Sequence, residues 1–500
     1  MRLSSILATQ CARWVSTCAV VLLTACGGGG SPDPAPTAAL AAAATPAPTV
    51  SIGFSAARVN AGDSVTLTWS SSNAGACVAS GSWSGSQATA GALTFVAAAA
   101  GTFTYRLDCT GAGGTAGAET VLTVVTPAAP VPPPAPTATP GATNVVPVIV
   151  DRGPTGNSFN MPFVSVTVCV PGTASCRTVD RVLVDTGSTG LRLFTSTLGA
   201  DFNLPQVSNG ASLPLAECAQ FACGFAFGAV RRADIKLAGE TARNLPVQVI
   251  ADAGAAIAPT PVACSNTGAD LGTIPALGAN GILGVGMLVQ DCGSACVSSS
   301  APRVYYACTA TSCASTVLPL DAQLTNPVPS FALDNNGLSL TLPPVPVGGV
   351  STLAGTLTFG IGTQANNQLG AATVHTSNSR GEFTTVYKGT SYPSSFIDSG
   401  SNGLFFDDPS IPTCSQFYCP PAPLPLTAVN VSPDGGTVSV SFTIDNSRAL
   451  TAGISAFNLG GTLGLPRTFD FGLPFFFGRT VFVAVTGAQT PRGVGPYWAY

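Results

Sequence analysis

One short pattern occurs at two widely separated places in this chain. Residues 182–194 read VLVDTGSTGLRLF, and residues 396–406 read FIDSGSNGLFF. A single Asp-Thr-Gly is typical of an ordinary turn, whereas two extended copies indicate an internal repeat. Such a repeat predicts a pseudo-twofold axis that brings the two loops face to face. The aligned pairs are Asp185/Asp398, Thr186/Ser399, Gly187/Gly400, Ser188/Ser401, Gly190/Gly403 and Leu191/Leu404.

The residue types in the repeat suit two acids that work together. Two carboxylates in contact cannot both ionise at modest cost, so Asp185 and Asp398 are expected to share a proton and to titrate as a coupled pair. The ionised partner can accept a proton from a water held between them, and the protonated partner can donate to a substrate carbonyl. The repeat therefore predicts hydrolysis by paired carboxyl groups.

The other positions of the repeat are predicted to support the acids. The glycines lack a Cβ atom, so the loops can approach each other closely and their amides can reach the carboxylates. The serines at the fourth position can hydrogen-bond the acids, and the hydroxyls at the second position can tie one loop to the other. These predicted supporting residues are Thr186, Gly187, Ser188, Ser399, Gly400 and Ser401.

With these motifs the chain resembles the pepsin-like aspartic peptidases, over roughly residues 160–490. The segments Gly281–Gly286 and Phe471–Val483 resemble the stretches of that family that cross behind its catalytic loops, and Gly355–Gly360 resembles a strand and turn of its second lobe. The resemblance implies an all-β, bilobal fold with a polypeptide bound across the cleft, and it requires no metal or organic cofactor. The chain also resembles a group of secreted proteobacterial proteins known only as a domain of unknown function.

The family places a flap over the cleft, with a tyrosine at its tip. The corresponding stretch here is Glu217–Gly228, where Phe221 stands at the tyrosine position. A phenylalanine can pack on a substrate, but it has no hydroxyl with which to hydrogen-bond. We expect a disulfide between Cys218 and Cys223 to stiffen this flap.

The first residues read as a targeting signal. Arg2 and Arg13 precede an apolar run, Val15 to Ala25, which is too short to span a bilayer. The run ends in Leu-Thr-Ala-Cys, which resembles the lipobox of bacterial lipoproteins and implies cleavage before Cys26 and lipidation of its sulfur. A plain secretory signal is the alternative. We therefore expect an exported protein that is lipid-anchored to the outer membrane, on its periplasmic or surface face.

Composition favours strands and loops and excludes some partners. Charged residues make up only 8% of the chain, against about 25% in an average soluble protein. No basic stretch is present to neutralise phosphates, so a nucleic-acid partner is not expected. The predicted order is a signal peptide (1–25), a flexible tether (26–49), an Ig-like β-sandwich spacer (50–126), a Pro-rich linker (127–143), an N-terminal lobe (144–325) and a C-terminal lobe (326–500).

The cysteines also suit export. Of the sixteen, three lie at positions 11, 18 and 26, which leaves thirteen; such a number is typical of an oxidising compartment. Cys264 is left over from pairing by proximity, and it is either free or part of a different pairing between positions 264 and 313. The pairs expected by proximity are Cys77/Cys109, Cys169/Cys176, Cys218/Cys223, Cys292/Cys296, Cys308/Cys313 and Cys414/Cys419.

Three other functions compete with an aspartic endopeptidase. Paired acids also serve glycosidases, but these enzymes do not need twin Asp-Thr/Ser-Gly-Ser loops, and Phe405, Phe406 and residues 475–477 are expected to be core rather than sugar platforms. A catalytically inactive pepsin fold could bind a peptide or protein ligand, and a purely adhesive surface protein is the third alternative. A Ser-His-Asp triad is not expected, because the one histidine, His375, lies in a stretch that reads as surface.

Overall fold

A computed structural model describes residues 45–60, 64–97, 100–125, 144–199, 201–222, 224–252, 255, 257–451, 453–462 and 467–500. The predicted signal peptide, Cys26, nearly all of the predicted tether, the predicted linker and Cys223 lie outside the described residues. The chain divides into two compact units, one within Thr17–Pro132 and one within Pro133–Tyr500, and each is considered by itself. Within the described residues, no helix is both long and apolar enough to cross a bilayer.

The smaller unit consists of two β-sheets, in the strand orders β1-β3-β6 and β2-β8-β7-β4-β5. Val65 and Leu67 of the first sheet share an apolar core with Tyr105, Leu122 and Val124 of the second. Alternation of apolar and polar residues produces this arrangement, because successive side chains of a strand point to opposite faces. The strands are β1 Thr49–Phe54, β2 Arg58–Asn60, β3 Ser64–Ser72, β4 Ala76–Gly81, β5 Gly85–Gln87, β6 Ala90–Val96, β7 Gly101–Gly111 and β8 Gly114–Val125.

The disulfide of this unit joins Cys77 to Cys109, as the sequence predicts. The two residues lie directly opposite each other on β4 and β7, with their Cα atoms 4.0 Å apart. The bond therefore links neighbouring strands of one sheet, whereas the disulfide of antibody domains joins the two sheets. The Ig-like assignment of this unit stays a prediction.

The larger unit begins with eleven short and long strands and four brief helices. The α-helices of the described residues have only four or five residues each, so strands dominate and the all-β expectation is confirmed. The elements are β9 Val145–Val150, β10 Pro162–Cys169, β11 Cys176–Asp185, β12 Thr189–Phe194, α1 Thr195–Leu198, β13 Leu215–Phe221, β14 Gly224–Leu237, β15 Glu240–Ile250, α2 Val262–Ser265, β16 Ala269–Asp270, α3 Ile274–Leu277, β17 Gly281–Val285, α4 Ser294–Ser298, β18 Tyr305–Cys308 and β19 Cys313–Ser315.

The second half of the larger unit continues in strands, with 3-10 turns at Leu320–Ala322, Val328–Ser330, Ala365–Asn367, Ser447–Ala449 and Leu473–Phe476. The strands are β20 Gly337–Leu342, β21 Leu353–Phe359, β22 Val374–Thr376, β23 Phe383–Tyr387, β24 Thr390–Ile397, β25 Leu404–Phe405, β26 Thr413–Cys414, β27 Phe417–Tyr418, β28 Leu424–Val431, β29 Thr437–Ile444, β30 Gly460–Gly461, β31 Asp470–Phe471, β32 Arg479–Ala484, β33 Gln489–Thr490, β34 Gly493–Val494 and β35 Tyr497–Ala499.

One large sheet runs through both halves of this unit. Its order is β19-β18-β13-β14-β15-β12-β17-β11-β10-β9-β21-β20-β32-β35-β22, with β16 beside β14. Strand β9 joins the halves, because it pairs antiparallel with β10 on one side and with β21 on the other. A second sheet, β26-β27-β30-β25-β31-β24-β23-β28-β29, belongs to the second half alone. The two halves are therefore continuous through hydrogen-bonded backbone.

The two copies of the sequence repeat adopt the same local topology. In the first half, β17 lies between β11, to which it is parallel, and β12, to which it is antiparallel. In the second half, β31 lies in the same way between β24 and β25. Each loop that follows the conserved-looking Asp thus leaves one strand, turns, and returns beside a third strand. The predicted internal symmetry is present at the level of strand pairing.

An aromatic cluster fills the core of the second half. The Phe406 and Phe469 rings stack with their centroids 4.5 Å apart, and Phe469 also contacts Phe471 at 4.4 Å. Phe405 is 6% exposed, and residues 475–477 are buried. These side chains are therefore core, as predicted, and they offer no exposed platform for a sugar ring.

Six disulfides are present among the described residues, which is consistent with an exported protein. One expected pairing is wrong: Cys218 bonds to Cys264, which lies 46 residues further along the chain, and not to Cys223. Cys264 is fully buried beside β13 and β14, so the fold brings it to Cys218 by tertiary packing that proximity in sequence cannot show. The six bonds are Cys77–Cys109, Cys169–Cys176, Cys218–Cys264, Cys292–Cys296, Cys308–Cys313 and Cys414–Cys419.

Candidate active site

Two aspartates from the repeat meet at the centre of the larger unit. Asp185 is the last residue of β11, and Asp398 follows the last residue of β24. Their side chains are hydrogen-bonded to each other, and Asp185 is only 6% exposed. Both acids stand at the ends of buried strands, so rigid backbone fixes their positions. The fold therefore brings together the two carboxyl groups that the repeat predicts to meet.

Each carboxyl group is held by its own loop in the same way. The Gly187 amide donates to Asp185 Oδ1 at 2.8 Å, and Ser188 Oγ donates to Asp185 Oδ2 at 2.5 Å. In the second loop the Gly400 amide donates to Asp398 Oδ1 at 2.8 Å, and Ser401 Oγ lies 2.9 Å from Asp398 Oδ2. Two donors on each acid fix the plane of its carboxyl group.

A second set of hydrogen bonds ties the two loops together. The Ser399 amide donates to Thr186 Oγ1 at 2.9 Å, and the Thr186 amide donates to Ser399 Oγ at 3.1 Å. Each hydroxyl then donates to the strand of the opposite half, Thr186 to the Ile397 carbonyl at 3.2 Å and Ser399 to the Val184 carbonyl at 2.7 Å. All four atoms are buried, so the network stabilises the close approach of the halves.

The glycines of the repeat are required by the space between the loops. A Cβ atom on Gly187 would lie 2.6 Å from Asp398 Cγ, and one on Gly400 would lie 2.8 Å from Asp185 Oδ1. Both separations are shorter than carbon and oxygen atoms tolerate without moving. Each glycine therefore faces the acid of the opposite half, and a side chain at either position would push the two acids apart.

The environment separates the two acids into different roles. Burial raises the pKa of Asp398 well above its ordinary value, and the charges of Asp185 and Asp470 and the hydrogen bond with Asp185 raise it further, whereas the hydrogen bond with Ser401 lowers it. When two carboxyl groups share a site, one proton stays between them. Asp398 is accordingly the acid that keeps the proton, and Asp185 is the partner that ionises.

The predicted flap is a β-hairpin made by β13 and β14. Phe221 pairs with Gly224 across its turn, so Phe221 lies at the tip, where it is half-buried against a cluster that contains Phe194 and Ile250. The Cys218–Cys264 disulfide anchors the first strand of the hairpin to α2, Val262–Ser265. The hairpin is therefore stapled near its base rather than across its turn.

Comparisons with known proteins were decisive at the level of family. Residues 140–500 match a family described as "Protein of unknown function (DUF3443)". The chain belongs to this family. The predicted resemblance to a domain of unknown function is thereby confirmed. No curated protein matches the chain. Among solved structures, the aspartic proteinase from Irpex lacteus matches with a TM-score of 0.41 and 16% sequence identity, over 71% of this chain and 96% of that chain.

A buried ionic cluster lies beneath the hairpin, and the repeat alone did not reveal it. Arg192, in the first copy of the repeat, donates to Glu217 Oε1 at 2.5 Å, and its guanidinium lies 5.7 Å from the ring centroid of Phe221. Asp291 accepts a hydrogen bond from the Tyr305 hydroxyl at 2.6 Å, and burial raises its pKa well above the ordinary value. The cluster links the returning strand of the first loop to the hairpin.

A third buried carboxyl group, Asp470, is another residue that sequence analysis missed. It is 2% exposed, its side chain is within hydrogen-bonding reach of Ser401, and its Oδ1 atom has no partner among the described residues. Burial raises its pKa to about 8. The signal was present in the sequence, because an Asp stands in the otherwise apolar run Phe469–Leu473.

The lone histidine does not lie at the surface, so that expectation was wrong. His375 is fully buried, and its Nδ1 atom lies 2.7 Å from Ser432 Oγ. It pairs with Trp498 across two strands, and packing against Phe383 and Tyr500 encloses it. Burial lowers its pKa to about 4. No group of three or more His, Cys, Asp or Glu side chains in the described part of the chain is arranged to hold a metal ion.

Proposed function

We propose that this protein is an aspartic endopeptidase with a pepsin-like, bilobal larger unit. The single observation that carries the proposal is the contact between Asp185 and Asp398, whose carboxyl groups are hydrogen-bonded to each other at the ends of two strands with matching topology. Peptide hydrolysis needs one carboxylate and one carboxylic acid on the same water, and this pair supplies both.

The order of proton transfers follows from the different environments of the acids. Ionised Asp185 takes a proton from the attacking water while its oxygen bonds to the peptide carbonyl carbon, and Asp398 gives its proton to the carbonyl oxygen. The tetrahedral intermediate then collapses as the peptide nitrogen is protonated and the C–N bond breaks, which restores one proton to the pair. No metal or organic cofactor enters these steps.

The surroundings of the pair favour a polypeptide substrate. Gly187 is exposed, and Gly400 and Ser401 are half-buried, so the loop side of the acids is open to an extended chain. The aromatic ring of Phe221, at the tip of the hairpin, would pack on the bound polypeptide. An extended substrate is also the natural ligand for such a site because its carbonyl groups point outward along the chain.

The test is cleavage of a denatured protein by the purified chain from acidic to neutral pH. Asp185→Asn and Asp398→Asn should each reduce kcat by at least about a thousandfold, since general acid and base catalysis each contribute roughly 10²–10⁴. Asp445→Asn is the matched control. It removes another buried acid of the second half, which accepts from the Gly348 amide and not from either loop. Activity that survives in Asp185→Asn would refute the proposal.

A catalytically inactive binding protein is the second candidate, and Phe221 is the observation that favours it. Without a hydroxyl at the tip, the hairpin can cover a peptide but cannot donate a hydrogen bond near the acids. The same experiment separates the candidates. A folded wild-type protein that cleaves nothing at any pH, yet retains an extended peptide in a pull-down that Gly187→Phe abolishes, would support binding alone.

We also propose that the chain is exported and lipid-anchored through Cys26, with the smaller unit as an Ig-like spacer. The disulfides among the described residues support an oxidising compartment. A single acyl chain holds a protein weakly, so stable anchoring requires two or more. Mass spectrometry of the mature N-terminus, with Cys26→Ser as the control, tests this; an unmodified N-terminal peptide at another residue would overturn it.

A further inference from the structure

Asp470 lies immediately behind one acid of the pair but not behind the other. It belongs to β31, where it is opposite Phe396 on β24 and Phe405 on β25. In the first half, the matching position on β17 is Ile282, which is opposite Leu183 on β11. Both residues are 2% exposed. The pseudo-twofold axis therefore relates a buried carboxyl group to a buried aliphatic side chain.

This difference reaches the acids through the serines of the two loops. Ser188 has only Asp185 as its carboxyl partner, and the two are 2.5 Å apart. Ser401 lies between two carboxyl groups: it is 2.9 Å from Asp398 and within hydrogen-bonding reach of Asp470. A serine hydroxyl has one hydrogen to donate. Ser401 is therefore shared, and its hydrogen bond to Asp398 is longer than the equivalent bond in the first half.

Sharing Ser401 disfavours the ionised form of Asp398 in two ways. A hydroxyl that donates to Asp470 is not available to stabilise a carboxylate at Asp398, and any negative charge on Asp470 opposes a second charge nearby. The titratable groups that act on Asp470 are the two acids of the pair, Asp185 and Asp398. Its remaining strand neighbours, Phe396 and Phe405, are aromatic and carry no charge.

We propose that Asp470 is a positioning residue that acts through Ser401 to hold the proton on Asp398, and so extends the activity of the pair toward neutral pH. The inference rests on the proposed peptidase function. It explains why the two halves, which agree at every residue that touches the acids, differ at this one position behind them. The raised pKa of Asp470 agrees with a carboxyl group that still carries its own proton at neutral pH.

The experiment compares the pH dependence of kcat/KM in the wild type and in Asp470→Ile, which copies the residue found at position 282. We expect the alkaline limb to move to lower pH by about one unit, which is about a tenfold loss of rate on that limb. Asp470→Asn should move it in the same direction and guards against misfolding of the isoleucine variant. Asp445→Asn should leave the limb where it is.

Two results would overturn the inference while leaving the peptidase function intact. The first is an alkaline limb that is unchanged in Asp470→Ile, including a uniform loss of rate at every pH, which a merely structural role would produce. The second is an undiminished shift when Asp470→Ile is made in a Ser401→Ala background. A residue that acts through Ser401 must lose most of its effect there.

Failure of the peptidase function would be recognised separately, by a folded wild type that cleaves nothing. Infrared difference titration then tests the inference, because it detects protonated carboxyl groups without turnover. The band removed by Asp398→Asn should titrate at lower pH in Asp470→Ile than in the wild type, and at the same pH in Asp445→Asn. An unshifted Asp398 band in Asp470→Ile would overturn the inference.

Discussion

A buried acid that keeps its proton must make the fold less stable as pH rises, and Asp470 allows the size of this effect to be worked out. Its pKa is about 8 in the folded protein, against about 3.9 for an aspartate in an unfolded chain. Between these two values the folded state binds one more proton than the unfolded state. The free energy of unfolding therefore falls by about 1.4 kcal/mol for each pH unit in this window.

The perturbation that isolates this contribution is Asp470→Asn, which removes the titrating group and changes the shape of the side chain very little. Between pH 5 and pH 7 the wild type should lose about 3 kcal/mol more stability than the variant. Urea titrations followed by tryptophan fluorescence at the two pH values measure the difference. Every other group titrates in both proteins, so its contribution to the comparison largely cancels.

The control is Asp180→Asn, which removes a carboxyl group that is 66% exposed. Exposed charges contribute little to stability, so this variant should follow the wild type at both pH values. The reasoning is refuted if wild type and Asp470→Asn lose the same stability between pH 5 and pH 7. That result would mean that Asp470 ionises in the folded protein as readily as in the unfolded chain.

Three further substitutions test other parts of the structure. Gly187→Ala should abolish cleavage while the protein stays folded, because its Cβ would lie 2.6 Å from Asp398 Cγ; wild-type kcat would contradict this geometry. Cys264→Ser should destabilise the larger unit by about 2–4 kcal/mol in urea titrations, since it opens the loop of 46 residues closed by Cys218; an unchanged midpoint would speak against that bond. Arg192→Met should cost about 3–5 kcal/mol by the same assay, because it leaves a buried carboxylate unpaired; a loss below about 1 kcal/mol, the range of exposed pairs, would count against burial of the pair.

The sequence was sufficient for the parts of the structure that depend on a repeated local pattern. Two copies of Asp-Thr/Ser-Gly-Ser predict two acids in contact, and Asp185 and Asp398 are in contact. Strand signals such as the alternation in residues 338–342 correspond to observed strands. Each of these features follows from residues that are close in the chain, or from a symmetry that the chain itself displays twice.

Features that depend on long-range packing were not accessible in the same way. Cys218 has Cys223 five positions away, yet it bonds to Cys264 because α2 packs against β14. His375 stands in a polar stretch, yet strand pairing with Trp498 buries it completely. In both cases the partner is chosen by the tertiary arrangement of strands, on which neither cysteine spacing nor the polarity of neighbouring residues carries information.

The most informative positions are those where the two copies of the repeat differ although their backbones match. Arg192 in the first half aligns with Phe405 in the second. Arg192 pairs with Glu217 of the hairpin, whereas Phe405 packs 6.1 Å from the ring of Phe417. Position 470 holds an acid where the first half has an apolar residue. A symmetric pair of acids cannot by itself decide which one keeps the proton or which side holds the hairpin. Both decisions require residues that break the symmetry, and these buried charges lie where such residues are needed.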